Sequence, residues 1–218
     1  MARRTYQQFC GLAYALDAVG ERWTLLIVRE LMAGPRRYSD LAEALTGIGT
    51  SLLATRLKQL ESDGAVRRAL LKTPSVAVIY ELTESGRALG RAIEPLATWG
   101  ARYLMGERAA NEVFRVDWAL AFIAEEMEAN LPEELRVAYD FLVDDSAARL
   151  LLDSGRTQVT AVPTQGQAAD VVIRCGAHVL AAIVGGRLDI ADAMRADQVQ
   201  VEGEPIAAKS LLSLIQSR

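Results

Sequence analysis

The sequence predicts an α+β chain of two domains. The N-terminal half is helical and closes with a short hairpin and one long helix; the C-terminal half is a sheet covered by helices. Three observations predict this. Apolar residues recur at helical spacing as far as Asp63, then alternate over two short segments, then return to helical spacing from Thr83. From Val137 onward they alternate again, interrupted by short helical stretches. The charge also changes sign along the chain: residues 1–110 carry 15 basic and 11 acidic residues, a net of +4, and the rest carry 9 and 17, a net of −8.

A chain of 218 residues accommodates two domains of about 100 residues each. Hydrophobic residues make up 51% of it and charged residues 24%, enough apolar surface to offset the entropy of ordering and to exclude a disordered chain. With 2 cysteines and 1 histidine, a disulfide scaffold and a Cys/His zinc site are excluded, and no cofactor is expected. No apolar run approaches the roughly 18 residues of a membrane span. Arg3 and Arg4 are followed by Asp17, Glu21 and Arg22, which breaks any signal-peptide pattern, so a cytoplasmic protein without membrane contact is expected. The polar stretch Gly106 to Glu112 marks the seam, giving domains of 1–108 and 109–218.

In the first half, Phe9, Leu12, Ala13 and Leu16 define one helix, which Gly20 ends. Trp23, Leu26, Ile27 and Leu31 define a second, stopped by Gly34-Pro35. Ser39 is a good N-cap for a short third helix, Asp40 to Leu45, with Tyr38 packing down on its start. After the turn Gly47-Ile48-Gly49, a fourth helix runs from Thr50 to Asp63 and stops at Gly64. Its apolar stripe is Leu53, Leu57 and Leu60; Ser51, Thr55, Lys58 and Ser62 lie opposite. A short helix, a tight turn and a helix with small polar and basic residues outward is the helix-turn-helix layout, and such a face suits a DNA major groove. A merely solvated helix surface fits the same residues. Val66 to Leu71 and Val76 to Leu82 then read as a hairpin, which makes the unit a winged helix. Thr83 caps a long helix anchored by Leu89, Ile93, Leu96, Trp99 and Tyr103, and Pro95 should bend or split it. Exposed aromatics on that helix point to packing against a second copy of the chain.

These residues resemble the HxlR-type winged-helix transcription regulators. The resemblance is carried by Cys10, Ala15-Leu16-Asp17, the run Gly20 to Leu31, Gly34-Pro35 through Leu41, Leu52 through Leu57, Tyr80-Glu81-Leu82-Thr83 and Trp99-Gly100, all in order over residues 8–105. It implies a homodimer built from the first and last helices of the domain, bound to a palindromic double-stranded DNA site. The DNA-contacting residues are then Thr50, Ser51, Thr55 and Lys58 on the fourth helix, with Arg36, Arg37 and Ser39 on phosphates. The family's wing is usually basic after its proline, whereas Ser75-Val76-Ala77 follows Pro74 here, leaving Arg67, Arg68 and Lys72 as the basic wing residues. Thiol sensing in parts of the family makes Cys10 a redox candidate; its apolar neighbours favour plain packing.

In the second half, Val116 to Glu128 reads as a helix whose Glu125, Glu126 and Glu128 form a solvated face. Strands follow: Tyr139, Phe141 and Val143 alternate inward; Leu150 and Leu152 lead into the turn Asp153-Ser154-Gly155-Arg156; Val159 and Ala161 return; Val171, Ile173 and Cys175 form another. Helices around Ala177 to Val184 and Asp189 to Ala193 precede a strand with Val199 and Val201. A last helix from Pro205 carries Leu211, Leu212, Leu214 and Ile215. Antiparallel strands with helices on one face are expected. No Ser-His-Asp set or nucleophile elbow is present, Gly185-Gly186 lacks a phosphate-loop pattern, and His178 reads as a surface or capping residue, so the chain is not expected to be an enzyme.

Ala169 to Ile173, Leu180 through Asp189 with its Gly-Arg-Leu-Asp segment, Ala191-Asp192-Ala193 and Val199 to Gly203 resemble the sterol-carrier-protein type 2 family over residues 137–216. That resemblance implies a helix-covered sheet enclosing an apolar tunnel, lined by Tyr139, Phe141, Leu150, Leu152, Val159, Val171 and Ile173 and by Val179, Leu180 and Ile183 on the cover. The inner face alone, without the resemblance, favours a filled core. The combined expectation is a dimeric DNA-binding regulator whose C-terminal domain binds an apolar small molecule that modulates DNA binding. The alternatives are a lipid-carrier or scaffold protein using its winged helix for protein contacts, and a thiol-based redox regulator acting through Cys10.

Overall fold

The leucine stripe of the fourth helix anchors the first half of the chain in the computed structural model, which describes residues 5–71, 76–109, 111–128, 131–162, 168–205 and 207–208. The chain forms two compact units, Met1–Ile93 and Glu94–Arg218. It is an α+β architecture throughout.

The first unit holds α1 (Gly11–Val19), α2 (Thr24–Met32), β1 (Arg36–Arg37), α3 (Tyr38–Ala44), α4 (Thr50–Ser62), β2 (Val66–Leu71), β3 (Ala77–Leu82) and the start of α5 (Glu84–Tyr103). Leu53, Leu57 and Leu60 of α4 are almost completely buried, as are Ile27, Val28 and Leu31 of α2 and Leu41 of α3. Each such side chain contributes about 1.5–3 kcal/mol on leaving water. Asp63 ends α4, and the Ala65 N–H reaches back to the Leu60 carbonyl at 2.9 Å, turning the chain into β2. The three strands order β1-β3-β2, all antiparallel, with Arg36 opposite Tyr80 and Arg68 also opposite Tyr80 on the other side. The Thr83 hydroxyl accepts from the Gly86 N–H at 3.1 Å and so caps α5, as the sequence predicts.

Several local expectations differ. Phe9 lies outside α1, which starts at Gly11, and of α1's residues only Ala13 is buried. Trp23 precedes α2 rather than opening it, at φ 79°, with Gly47 beneath its ring. Ser39 is not the cap of α3: the helix starts at Tyr38, and the backbone N–H of the preceding Arg37 donates to the Asp40 carboxylate at 3.0 Å. That bond is the N3-to-N-cap half of a capping box, in which an acidic side chain inside the first turn satisfies the amide before the helix. β1 was not expected, because two residues carry no periodicity. Pro95 does not split α5, which is one helix from Glu84 to Tyr103; proline removes one helical hydrogen bond without stopping a helix held by packing on both sides of it. Val76 is exposed and lies before β3.

The second unit adds α6 (Val116–Glu128), β4 (Arg136–Val143), β5 (Ser146–Asp153), β6 (Arg156–Thr160), β7 (Val171–Cys175), α7 (Ala177–Val184), α8 (Ile190–Arg195) and β8 (Val199–Gly203). The sheet order is β6-β5-β4-β7-β8. The β5–β6 turn falls on Ser154 and Gly155, both at positive φ, as expected from the sequence. The sheet is mixed: β4 and β7 run parallel, with Tyr139 opposite Val171, so the expectation of antiparallel strands holds only for the other pairs. Alternation reports which face a residue takes and says nothing about strand direction. Leu120 and Ile123 of α6, Tyr139, Phe141 and Leu150 of the sheet and Val179 of α7 share one apolar core. On the opposite sheet face Asp140 and Arg149, cross-strand neighbours, form a buried two-point ion pair at 2.6 and 2.8 Å. Asp189 caps α8 by accepting from the Ala191 and Asp192 N–H groups. The helix expected from Pro205 falls largely outside the described residues, as do the side chains of Glu125, Glu126 and Glu128. No helix among the described residues is long and apolar enough to cross a membrane.

Candidate nucleic-acid interface

Because Leu53, Leu57 and Leu60 face inward, the 3.6-residue period turns Thr50, Ser51, Thr55 and Lys58 outward, and all four are exposed. The Thr55 hydroxyl donates to the Ser51 carbonyl at 2.8 Å, which holds that side chain against the helix with its oxygen lone pairs outward. Gly49 precedes α4 and offers no side-chain cap, so the positive end of the helix is left to the backbone alone. The phenolic hydroxyl of Tyr38, first residue of α3, donates to the carbonyl of Thr50, first residue of α4, at 2.7 Å. The two helix starts are therefore tied together.

Arg36 and Arg37 lie half-buried on β1, opposite Tyr80 and Ile79, which places them directly before α3. Ser39 is exposed, and its hydroxyl donates to Asp40 at 3.1 Å. Arg67 and Arg68 are exposed on β2 but engaged: Arg67 pairs with Glu81 at 2.7 Å, and Arg68 pairs with Glu61 at 3.3 Å and sits over the Tyr80 ring. Exposed pairs of this kind are worth about 0–1 kcal/mol, so a phosphate competes readily for either guanidinium. Lys72 lies outside the described residues.

Two positioning residues were not legible in the sequence. Tyr38 was read as apolar packing, and its hydroxyl bond is invisible to periodicity. Arg56, half-buried on α4, donates to the Arg22 carbonyl at 3.3 Å and pairs with Glu21 at 2.9 Å, fastening α4 to the segment before α2. Only the fold brings those positions together.

Phe9, Leu12, Trp99 and Tyr103, the residues read as dimer contacts, are all exposed, Trp99 at 50% and Tyr103 at 66%. Cys10 immediately precedes α1 and is exposed, so it is not packed among apolar neighbours. The backbone N–H groups of Ala13 and then Leu12 at the start of the helix hold its thiol pKa below the ordinary value. Cys175 contrasts with it: burial, then the charge of Asp144, pushes its thiol up to about 11.

The residues read as tunnel lining come together around one layer. Tyr139, Phe141, Leu150, Leu152, Val171, Ile173, Val179 and Leu180 are buried in the shared core, and Val159 and Ile183 pack half-buried at its edge. The Tyr139 hydroxyl donates to the Ala207 carbonyl at 2.9 Å. Arg174 points away from this layer and pairs with Glu202. Among the described residues no three His, Cys, Asp or Glu side chains converge as a metal site.

Comparison with known proteins gives this geometry a family. The profile of the HxlR-like helix-turn-helix proteins matches residues 18–108. The chain is 38% identical over 89 residues to the HTH-type transcriptional regulator YodB of Bacillus subtilis, covering 41% of this chain and 80% of that protein. It is 46% identical over 90 residues to an uncharacterized HTH-type transcriptional regulator of Mycobacterium tuberculosis, Rv3095, covering 41% of this chain and 56% of the relative. A solved structure of reduced YodB is 35% identical, covers 46% of this chain and 100% of its own, and superposes with a TM-score of 0.40. The leucine-backed fourth helix, the turn before it and the hairpin after it are thus those of a helix-turn-helix transcription regulator, and through this N-terminal region the chain belongs to the HxlR-like helix-turn-helix family.

Proposed function

We propose that the protein is a homodimeric regulator that binds a palindromic DNA duplex through the N-terminal face of α4. One observation carries this reading: Thr50, Ser51, Thr55 and Lys58 are exposed directly opposite a fully buried leucine stripe. Hydroxyls and one ammonium reach base edges or phosphates without filling a major groove, and Arg36, Arg37 and Ser39 beside the start of α3 supply phosphate contacts. The exposed Trp99 and Tyr103 rings, and Phe9 and Leu12, support a second copy as the cover for these surfaces. The test is recovery of duplexes from a randomised library by the full chain, followed by titration at several salt concentrations. Thr55→Ala with Lys58→Ala should weaken binding by about 1–3 kcal/mol per lost contact and reduce the salt slope by about 1. Unchanged affinity in that double variant removes α4 from the interface.

The signal that such a regulator answers has two candidate inputs. The exposed Cys10 thiol, with its pKa held down by helix amides, supports a thiol switch. Hydrogen peroxide should then change duplex affinity in the wild type and leave Cys10→Ser unaffected; an equal response in both ends that reading. The second input is an apolar molecule seated between α7 and the sheet, as the sterol-carrier resemblance implies. The near-continuous apolar surface of α7 over the layer holding Phe141 and Ile173 supports it. Affinity would come from buried area, about 25 cal/mol per Å² before binding costs, so long acyl or polycyclic compounds should raise the melting temperature more than short ones. Absence of any shift across fatty acids and polyaromatic compounds rejects it.

A further inference from the structure

The boundary between the two compact units falls inside a helix. α5 is continuous from Glu84 to Tyr103, yet residues up to Ile93 belong to the first unit and those from Glu94 to the second. Pro95 stands just past that boundary, where it removes one helical hydrogen bond and weakens the helix locally. The C-terminal half of α5 therefore depends on what holds it within the second unit.

Within that unit it touches the end of α7. The Arg102 guanidinium donates from Nε to the Gly185 carbonyl at 2.8 Å. Gly185 is the C-cap of α7, so a positive group sits at the negative end of that helix. The approach is close. A Cβ on Gly185 would lie 3.0 Å from the Ala101 carbonyl carbon and 3.1 Å from the Arg102 nitrogen; one on Gly186 would lie 2.3 Å from Arg102 Nη2. Ala101 is buried. On its other side α7 is rooted in the core through Val179 and Leu180.

We propose that the contact between Arg102 and the Gly185-Gly186 turn is a coupling joint: displacement of α7 opens it, residues 94–103 lose their anchor, and the change travels along α5 into the winged-helix unit. Helix formation is cooperative, so loss of the anchored half raises opening of the turns N-terminal to it, with the proline at the boundary as the weak link. The joint does not depend on what moves α7, and it rests on the DNA-binding reading only for its affinity readout.

Hydrogen exchange on the full chain tests it, comparing wild type with Arg102→Ala and Gly185→Ala. Gly185→Ala keeps every charge and only obstructs the close approach, which separates the joint from a direct role of the Arg102 charge; Arg102→Ala alters an exposed side chain and decides the matter if the glycine variant does not fold. Amides of residues 94–103 should exchange about tenfold faster in both variants, and those of 84–93 several-fold faster, while β4 and β5 stay protected. Affinity for a duplex selected by the wild type should change about fivefold or more. Unchanged exchange in 84–93, or duplex affinities within about twofold of wild type in a folded variant, overturns the proposal. If the wild type selects no duplex, the DNA-binding reading fails and exchange in 84–93 alone decides the joint.

Discussion

The hydroxyl of Tyr38 and the carbonyl of Thr50 meet at 2.7 Å, joining the first residue of α3 to the first residue of α4. This bond ties the uncapped start of α4 to the residue that follows Arg36 and Arg37. Tyr38→Phe keeps the ring packing and removes only the bond. Stability measured by urea unfolding should fall by about 0.5–1.5 kcal/mol. Duplex affinity should drop with it, and a variant that binds as tightly as wild type shows that the bond does not orient the reading helix.

Trp99 and Tyr103, one helical turn apart with ring centroids at 6.2 Å, are exposed on α5. Trp99→Glu places a charge where apolar cover is needed. Sedimentation at micromolar concentration should give a dimer for wild type and a monomer for the variant, with weaker duplex binding because one particle no longer engages both half-sites. A monomeric wild type contradicts the dimer.

The two cysteines should behave oppositely. Near neutral pH, a thiol-specific reagent should modify Cys10 first, with a rate midpoint below the ordinary thiol value, and leave Cys175 untouched in the folded chain. Cys175 and Tyr139 are both raised by burial, to about 11 and about 12. Between the unfolded values and these folded ones, the unfolded chain binds fewer protons than the folded chain. Folding stability is therefore fully retained below the unfolded pKa values and falls as pH rises through about 11 and 12. Cys175→Ala should remove the thiol part of that alkaline loss in a melting series against pH.

The Asp140–Arg149 pair lies on the sheet face opposite the apolar core and is buried on both sides of the contact. Asp140→Ala removes the two-point partner of a buried guanidinium and should cost about 3–5 kcal/mol. Replacing both together, Asp140→Leu with Arg149→Met, should cost far less or stabilise, since two desolvation penalties vanish at once. Equal losses in the single and double variants would mean that packing, not charge burial, sets the cost.

The exposed face of α4 was legible in the sequence. The leucines at 53, 57 and 60 fall on one helical face, which forces Thr55 and Lys58 to the other, and the Thr83 cap and the Ser154-Gly155 turn follow from local chemistry alone. Ser39 misled because a good capping residue in sequence need not stand at the helix start: α3 begins at Tyr38, which puts Ser39 inside the first turn and leaves Asp40 to accept from the Arg37 N–H. Cys10 misled because its apolar neighbours suggested burial, whereas the residues around it are themselves exposed.

Apart from the two-residue β1, the sequence by itself determined the kinds of element, their order and the faces they bury, because helix and strand periods, caps and turns act over a few residues. Tertiary structure alone decided the rest. The parallel pairing of β4 with β7, the fastening of Arg56 to Glu21 and the approach of Arg102 to Gly185 all join positions far apart in the chain. Such contacts form only after the chain has closed those distances, and their energies depend on burial and geometry that no local pattern encodes.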